Sequence, residues 1–113
     1  MFRVLVVFLL IACASCSSLG NGARLVIVAT EYSYDPAIVP TDAHTIAFEI
    51  RNQGQEEHDF ELIGPQGVVA HVGTIQPGIT RGISVPLKPG VYQFLCTIEG
   101  HAQRGMTGTL TVR

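Results

Sequence analysis

From Arg24 to the C-terminus the chain alternates apolar and polar residues in short runs, which Gly, Pro and Asn interrupt, and it has no capped amphipathic stretch of helical period. A side-chain period of two puts every second residue on one face of a strand, so each run needs a second layer against which to bury that face. Strands are expected at 24–31, 44–52, 58–63, 81–87, 90–96 and 107–112, with a less defined one at 68–72. In the run 44–52, Ile46, Phe48 and Ile50 fall on one side and Ala47, Glu49 and Arg51 on the other. In 107–112, Gly108, Leu110 and Val112 alternate with Thr. In "GVYQFLC" Tyr92, Phe94 and Cys96 share a face, which directs the Cys96 sulfur inward. "NQGQEE" and "LKPG" carry turn chemistry between neighbours. About seven short strands at such spacing predict an all-β fold, a two-sheet Greek-key β-sandwich.

The 113 residues suffice for one domain, and 47% hydrophobic with 14% charged residues suits a packed core. Seven basic against nine acidic residues give a net charge of −2, with no Lys/Arg cluster to neutralise a row of phosphates, so nucleic acid is not an expected partner. The opening "MFRVLVVFLLIACASCSS" has a basic start at Arg3, an apolar run from Val4 to Ile11, and then small residues. That is the pattern of an export signal, and the run is far shorter than the roughly 20 residues needed to span a bilayer.

"LIAC" resembles the bacterial lipobox, which implies removal of 1–12 as a signal peptide and lipid on Cys13. The alternative is ordinary cleavage after Ala14 in "ACA". On the first reading 13–23 is a lipidated N-terminus and tether and 24–113 the folded domain; the protein is then an exported lipoprotein at a membrane, and otherwise periplasmic or extracellular. Two of the three Cys lie in the leader region, so Cys96 is the one Cys of the domain proper and no disulfide framework is expected.

After the strand ending at Cys96 comes "CTIEGHAQRGM", which offers a thiol, an imidazole and a thioether at intervals of five. Copper cycling between two oxidation states suits such a mixture, because thiolate and thioether hold Cu(I) and imidazole holds Cu(II). A second imidazole must come from elsewhere, and the candidates are His44, His58 and His71. His58 opens "HDFEL", where it shares a core-facing side with Phe60 and Leu62, whereas His44 and His71 read as solvated surface residues.

With "EEHDF" and "PGVYQFLCTIEGHAQRGMTGTLTV" the sequence resembles the cupredoxins, the small blue copper proteins of plastocyanin and azurin type, over nearly the whole mature domain. Its ligand-loop spacing is like that of auracyanin and rusticyanin. The resemblance implies one copper ion per chain, with Cys96, His58 and His101 as strong equatorial ligands and Met106 as a long axial one. It also implies that the Asp59 backbone N–H donates to the Cys96 sulfur and that the Asp59 carboxylate accepts a hydrogen bond from the Thr97 hydroxyl. A carboxylate there departs from the more usual Asn or Ser, and unless protonated or paired it should favour Cu(II). Gly100, Ala102 and Gly105 leave one edge of the His101 ring near the surface, where electrons could pass.

A dinuclear copper centre would need a second thiolate on this loop, and a multicopper oxidase would bracket the Cys with His; here the flanks are Leu95 and Thr97. No nucleophile–base order or phosphate-cradling Gly loop stands out, so no enzyme activity is expected. Zinc is disfavoured because Met is a poor zinc ligand. The expected function is single-electron transfer by a monomer between redox protein partners at or near the extracytoplasmic membrane surface. The alternatives are a module for copper storage or delivery, and a sandwich whose site stays empty.

Overall fold

A computed structural model describes residues 22–113; the expected leader, Cys13 and the tether up to residue 21 lie outside them. The strands are β1 (Gly22–Thr30), β2 (Ser33–Asp35), β3 (Ile38–Thr41), β4 (Thr45–Asn52), β5 (His58–Gly64), β6 (Gly67–Ile75), β7 (Thr80–Pro86), β8 (Gly90–Leu95) and β9 (Thr107–Val112). They form a four-stranded sheet in the order β2-β1-β4-β7 and a five-stranded sheet in the order β3-β9-β8-β5-β6. This is the expected Greek-key sandwich. β1 runs parallel to β4 and β3 parallel to β9, while the remaining pairs are antiparallel. No helix among the described residues is long and apolar enough to cross a membrane.

Alternation sets the core as expected: Ile46, Phe48 and Ile50, then Tyr92, Phe94 and Cys96, then Leu110 and Val112 are all buried. Phe48 from one sheet meets Phe60 from the other at 5.3 Å between ring centroids, and Phe60 meets Phe94 at the same distance. Burying such a side chain contributes roughly 1.5–3 kcal/mol, so these rings are a main tie between the layers. Gly108 occupies a core-facing position of β9 because a Cβ there would overlap the Phe94 ring and the Ala37 carbonyl oxygen.

Two strands escape the sequence pattern. β2 and β3 are three and four residues long, with Pro36 between them and Pro40 inside β3, so neither shows a run long enough for a period. Both are edge strands, where a missing N–H costs no ladder bond. The segment at 68–72 belongs to the nine-residue β6, whose mostly exposed residues blur its alternation.

The order of the five-stranded sheet positions the site. β5 lies beside β8, with Glu61 opposite Leu95 and Leu62 opposite Phe94. The first residue of β5 therefore sits at the same end of the sandwich as the loop joining β8 to β9.

Candidate metal centre

Asn52, the last residue of β4, is 1% exposed and organises the turn before β5. Its side-chain amide donates to the Glu56 and Ile75 carbonyls, each at 2.8 Å, and its oxygen accepts from the Gly54 N–H at 2.9 Å. The chain thus enters β5 with His58 fully buried. The β5–β6 register shifts between His58 and Phe60, where β6 carries the extra residue, and Asp59 is buried as well, although strict alternation would turn it outward. The Asp59 carboxylate accepts from the Thr97 N–H at 2.6 Å and from the Thr97 hydroxyl, while His71 Nε2 stands 3.5 Å away. The expected tether exists. Because Asp59 is paired, its charge bears less on the metal position than that of a free carboxylate.

The β8–β9 loop closes on itself through its backbone. Cys96 N–H donates to the Met106 carbonyl at 3.1 Å, His101 N–H to Ile98 at 3.0 Å, and Met106 N–H to His101 at 3.2 Å. A single 3-10 turn, Ala102–Arg104, fills the interval between His101 and Met106, and Gly105 ends it with φ 115°, a conformation that favours glycine. Cys96, His101 and Met106 are all buried by this closure.

His58 Nδ1 lies 3.3 Å from His101 Nδ1, and Cys96 Sγ lies 3.6 Å from the same nitrogen. One donor atom from each of the three residues falls within 4.8 Å of the others. In a trigonal site with imidazole and thiolate bonds of about 2.0–2.3 Å, donors stand about 3.5–4 Å apart, so the three residues fit one ion of this kind. They are placed to bind one copper.

The hydrogen bonds around the donors match that role. His58 Nε2 faces the Glu31 carboxylate at 3.0 Å, which can only accept, so Nε2 carries the proton and Nδ1 keeps its lone pair. Burial pushes the Cys96 thiol up, against the N–H groups of Asp59 and Ile98, which favour the thiolate. A coordinated cation deprotonates such a thiol outright. The Tyr34 hydroxyl donates to the Asp59 carbonyl beneath.

His101 is 8% exposed and borders a shallow depression with Gln55, Glu56, Glu57, Gln76, Pro77 and Ile98. Its ring packs edge-on against Tyr32 at 4.9 Å, and the Arg104 guanidinium lies over Tyr32 at 4.7 Å. His44 and His71 are exposed as expected, with His44 Nε2 at 3.0 Å from the Arg113 carbonyl oxygen. Sequence reasoning missed Glu31 and Asn52. Nothing in the spacing links residue 31 to residue 58, and an Asn at a strand end reads as a turn residue.

The Cupredoxin-like domain family model matches residues 3–112 of the chain. The copper-resistant cuproprotein CopI of Rubrivivax gelatinosus is 29% identical over 106 residues; the match covers 78% of this chain and 64% of that protein, just under two thirds of its length. Dithionite-reduced auracyanin from Roseiflexus castenholzii superposes with a TM-score of 0.74 at 22% identity, over 83% of this chain and 99% of that one. Reduced rusticyanin superposes with a TM-score of 0.67 at 20% identity, over 83% and 81% respectively. At these identities the structural likeness is one of fold.

Proposed function

The chain belongs to the cupredoxin-like family, and from that premise we propose that it is a type 1 blue copper protein transferring single electrons between redox partners at or near the extracytoplasmic membrane surface. Copper is its cofactor, one ion per chain. In this reading His58, Cys96 and His101, with the buried Met106, would hold the ion. The ion supplies a Cu(II)/Cu(I) couple; the chain's part is to hold mixed soft and imidazole donors in one arrangement tolerable to both states.

The convergence of buried donors from β5 and the β8–β9 loop is the observation that carries the reading. Each donor is fixed by strand pairing or by backbone hydrogen bonds, so little has to move when the charge changes. The edge of His101 at the surface depression supplies the electron's way out. In the same reading the protein is a monomer without enzyme activity, exported and held to the membrane by lipid on Cys13.

A second reading, copper storage or delivery, is favoured by the likeness to a protein named for copper resistance. The self-exchange rate and the ease with which a chelator removes Cu(I) separate the two: slow exchange and ready loss favour delivery.

Optical and EPR spectra of the copper-loaded chain test the ligand set. Cys96→Ser should abolish the intense thiolate-to-copper band, and Met106→Leu should shift the band but keep it. A band unchanged in Cys96→Ser rejects the assignment.

A further inference from the structure

We propose that Glu31 is a positioning residue for the copper site, orienting His58 through its Nε2–H and lending the ring negative charge that favours Cu(II) over Cu(I). The proposal rests on the reading of His58 as a ligand. Its observation is a carboxylate built into the site rather than lying on it by chance. Glu31 Oε1 accepts from His58 Nε2 at 3.0 Å and from the backbone N–H groups of Gln55 and Glu56, each at 2.8 Å. Three donors from the segment 55–58 therefore converge on one oxygen.

The segment is also shaped around that carboxylate. A Cβ on Gly54 would overlap the Glu31 carboxyl group, so the glycine in "NQGQEE" leaves room for it as well as making a turn. Glu31 follows β1 in the four-stranded sheet, while His58 opens β5 in the five-stranded sheet. Their contact ties the ligand ring to the opposite layer and stops it rotating about χ2.

The chemical consequence follows from charge. A carboxylate accepting the remote N–H of a ligating imidazole raises the ring's basicity, and the more highly charged oxidation state gains more from it. A neutral acceptor at the same position would hold the ring equally well without that bias. Glu31 keeps 28% of its side-chain surface exposed, so water and the two backbone donors damp the effect without removing it.

The test compares copper-loaded full chains of wild type, Glu31→Gln and Gly54→Ala, measuring Cu(II) and Cu(I) affinities by chelator competition together with the reduction potential. Gln keeps an oxygen for His58 and removes the charge. Gly54→Ala leaves the charge but pushes the carboxylate off its cradle, and it serves as a second probe should Glu31→Gln fold poorly. Cu(II) affinity should fall by about 10-fold or more in both variants, within the range usual for lost outer partners of metal ligands. Cu(I) affinity should fall less. A 10-fold drop in the affinity ratio raises a one-electron potential by about 59 mV.

Equal losses for Cu(II) and Cu(I), with the potential unmoved, would overturn the charge bias and leave a purely structural contact. Unaltered affinities in both variants would overturn the positioning role too. Failure of the underlying reading would look different: His58→Gly would then retain wild-type copper spectra, whatever Glu31 does.

Discussion

Asn52 satisfies three backbone groups with one buried amide, and its bond to the carbonyl of the fully buried Ile75 is itself buried. Truncating it leaves the buried Ile75 carbonyl unpaired, which costs about 1–3 kcal/mol, while water can replace the amide at the Glu56 and Gly54 groups of the more open turn. Asn52→Ala should therefore destabilise the metal-free chain by about 2 kcal/mol, read from urea unfolding; a loss under about 0.5 kcal/mol would mean the turn 53–57 holds without it. Copper affinity should fall as well, because the same turn carries the N–H groups that cradle Glu31. Cys96, His101 and Met106 were legible from their chemistry at intervals of five, and His58 from its core-facing place in "HDFEL". Asn52 and Glu31 were not: both types are common on strand ends and surfaces, and their partners come from distant parts of the chain.

At the level of elements, the parallel pair β1 and β4 carries a small charge cluster on its outer face. Glu49 accepts from Arg24 across the strands and from Arg51 two residues on in β4, the latter at 3.1 Å. These guanidinium groups, Arg24 foremost, hold the Glu49 carboxyl below its ordinary value of 4.5. A carboxyl depressed in the folded state contributes stability that is present above 4.5 and is lost as pH falls through the folded value. Glu49→Gln should thus melt slightly below wild type at neutral pH in low salt, followed by circular dichroism. The gap should narrow on acidification below the ordinary carboxylate range and in molar salt, as exposed pairs are screened. A gap that widens in acid would contradict the pairing. Long strands with one apolar face were legible here, whereas β2, β3 and the register shift at Asp59 were not, because edge pairing and register depend on neighbours that no local pattern contains.

For the whole molecule, the centre joins β5 to the β8–β9 loop, and the Glu31 contact reaches β1 in the other sheet. An ion bound there acts as a clamp on the folded state, since the unfolded chain does not bring these donors together. With free copper at about 100 times its dissociation constant the gain is about 2.7 kcal/mol, which for a domain of this size raises the melting temperature by on the order of 10 °C. Calorimetry of the loaded and chelator-stripped chain should show that rise, and Cys96→Ser should lose most of it. A melting temperature indifferent to copper would argue against a preformed site.

Alternation along the strands and the run from Cys96 to Met106 belong to local sequence, and they determined the all-β class and the candidate donors of the loop. Side-chain period and ligand type act within a few residues, so they survive being read in one dimension. The 3.3 Å approach of two imidazoles and the carboxylate behind one of them were decided only when β5 came to lie beside β8 and the sheets closed on each other. Those are contacts between residues 27 to 43 positions apart, and their geometry is set by packing between layers, which no spacing along the chain encodes.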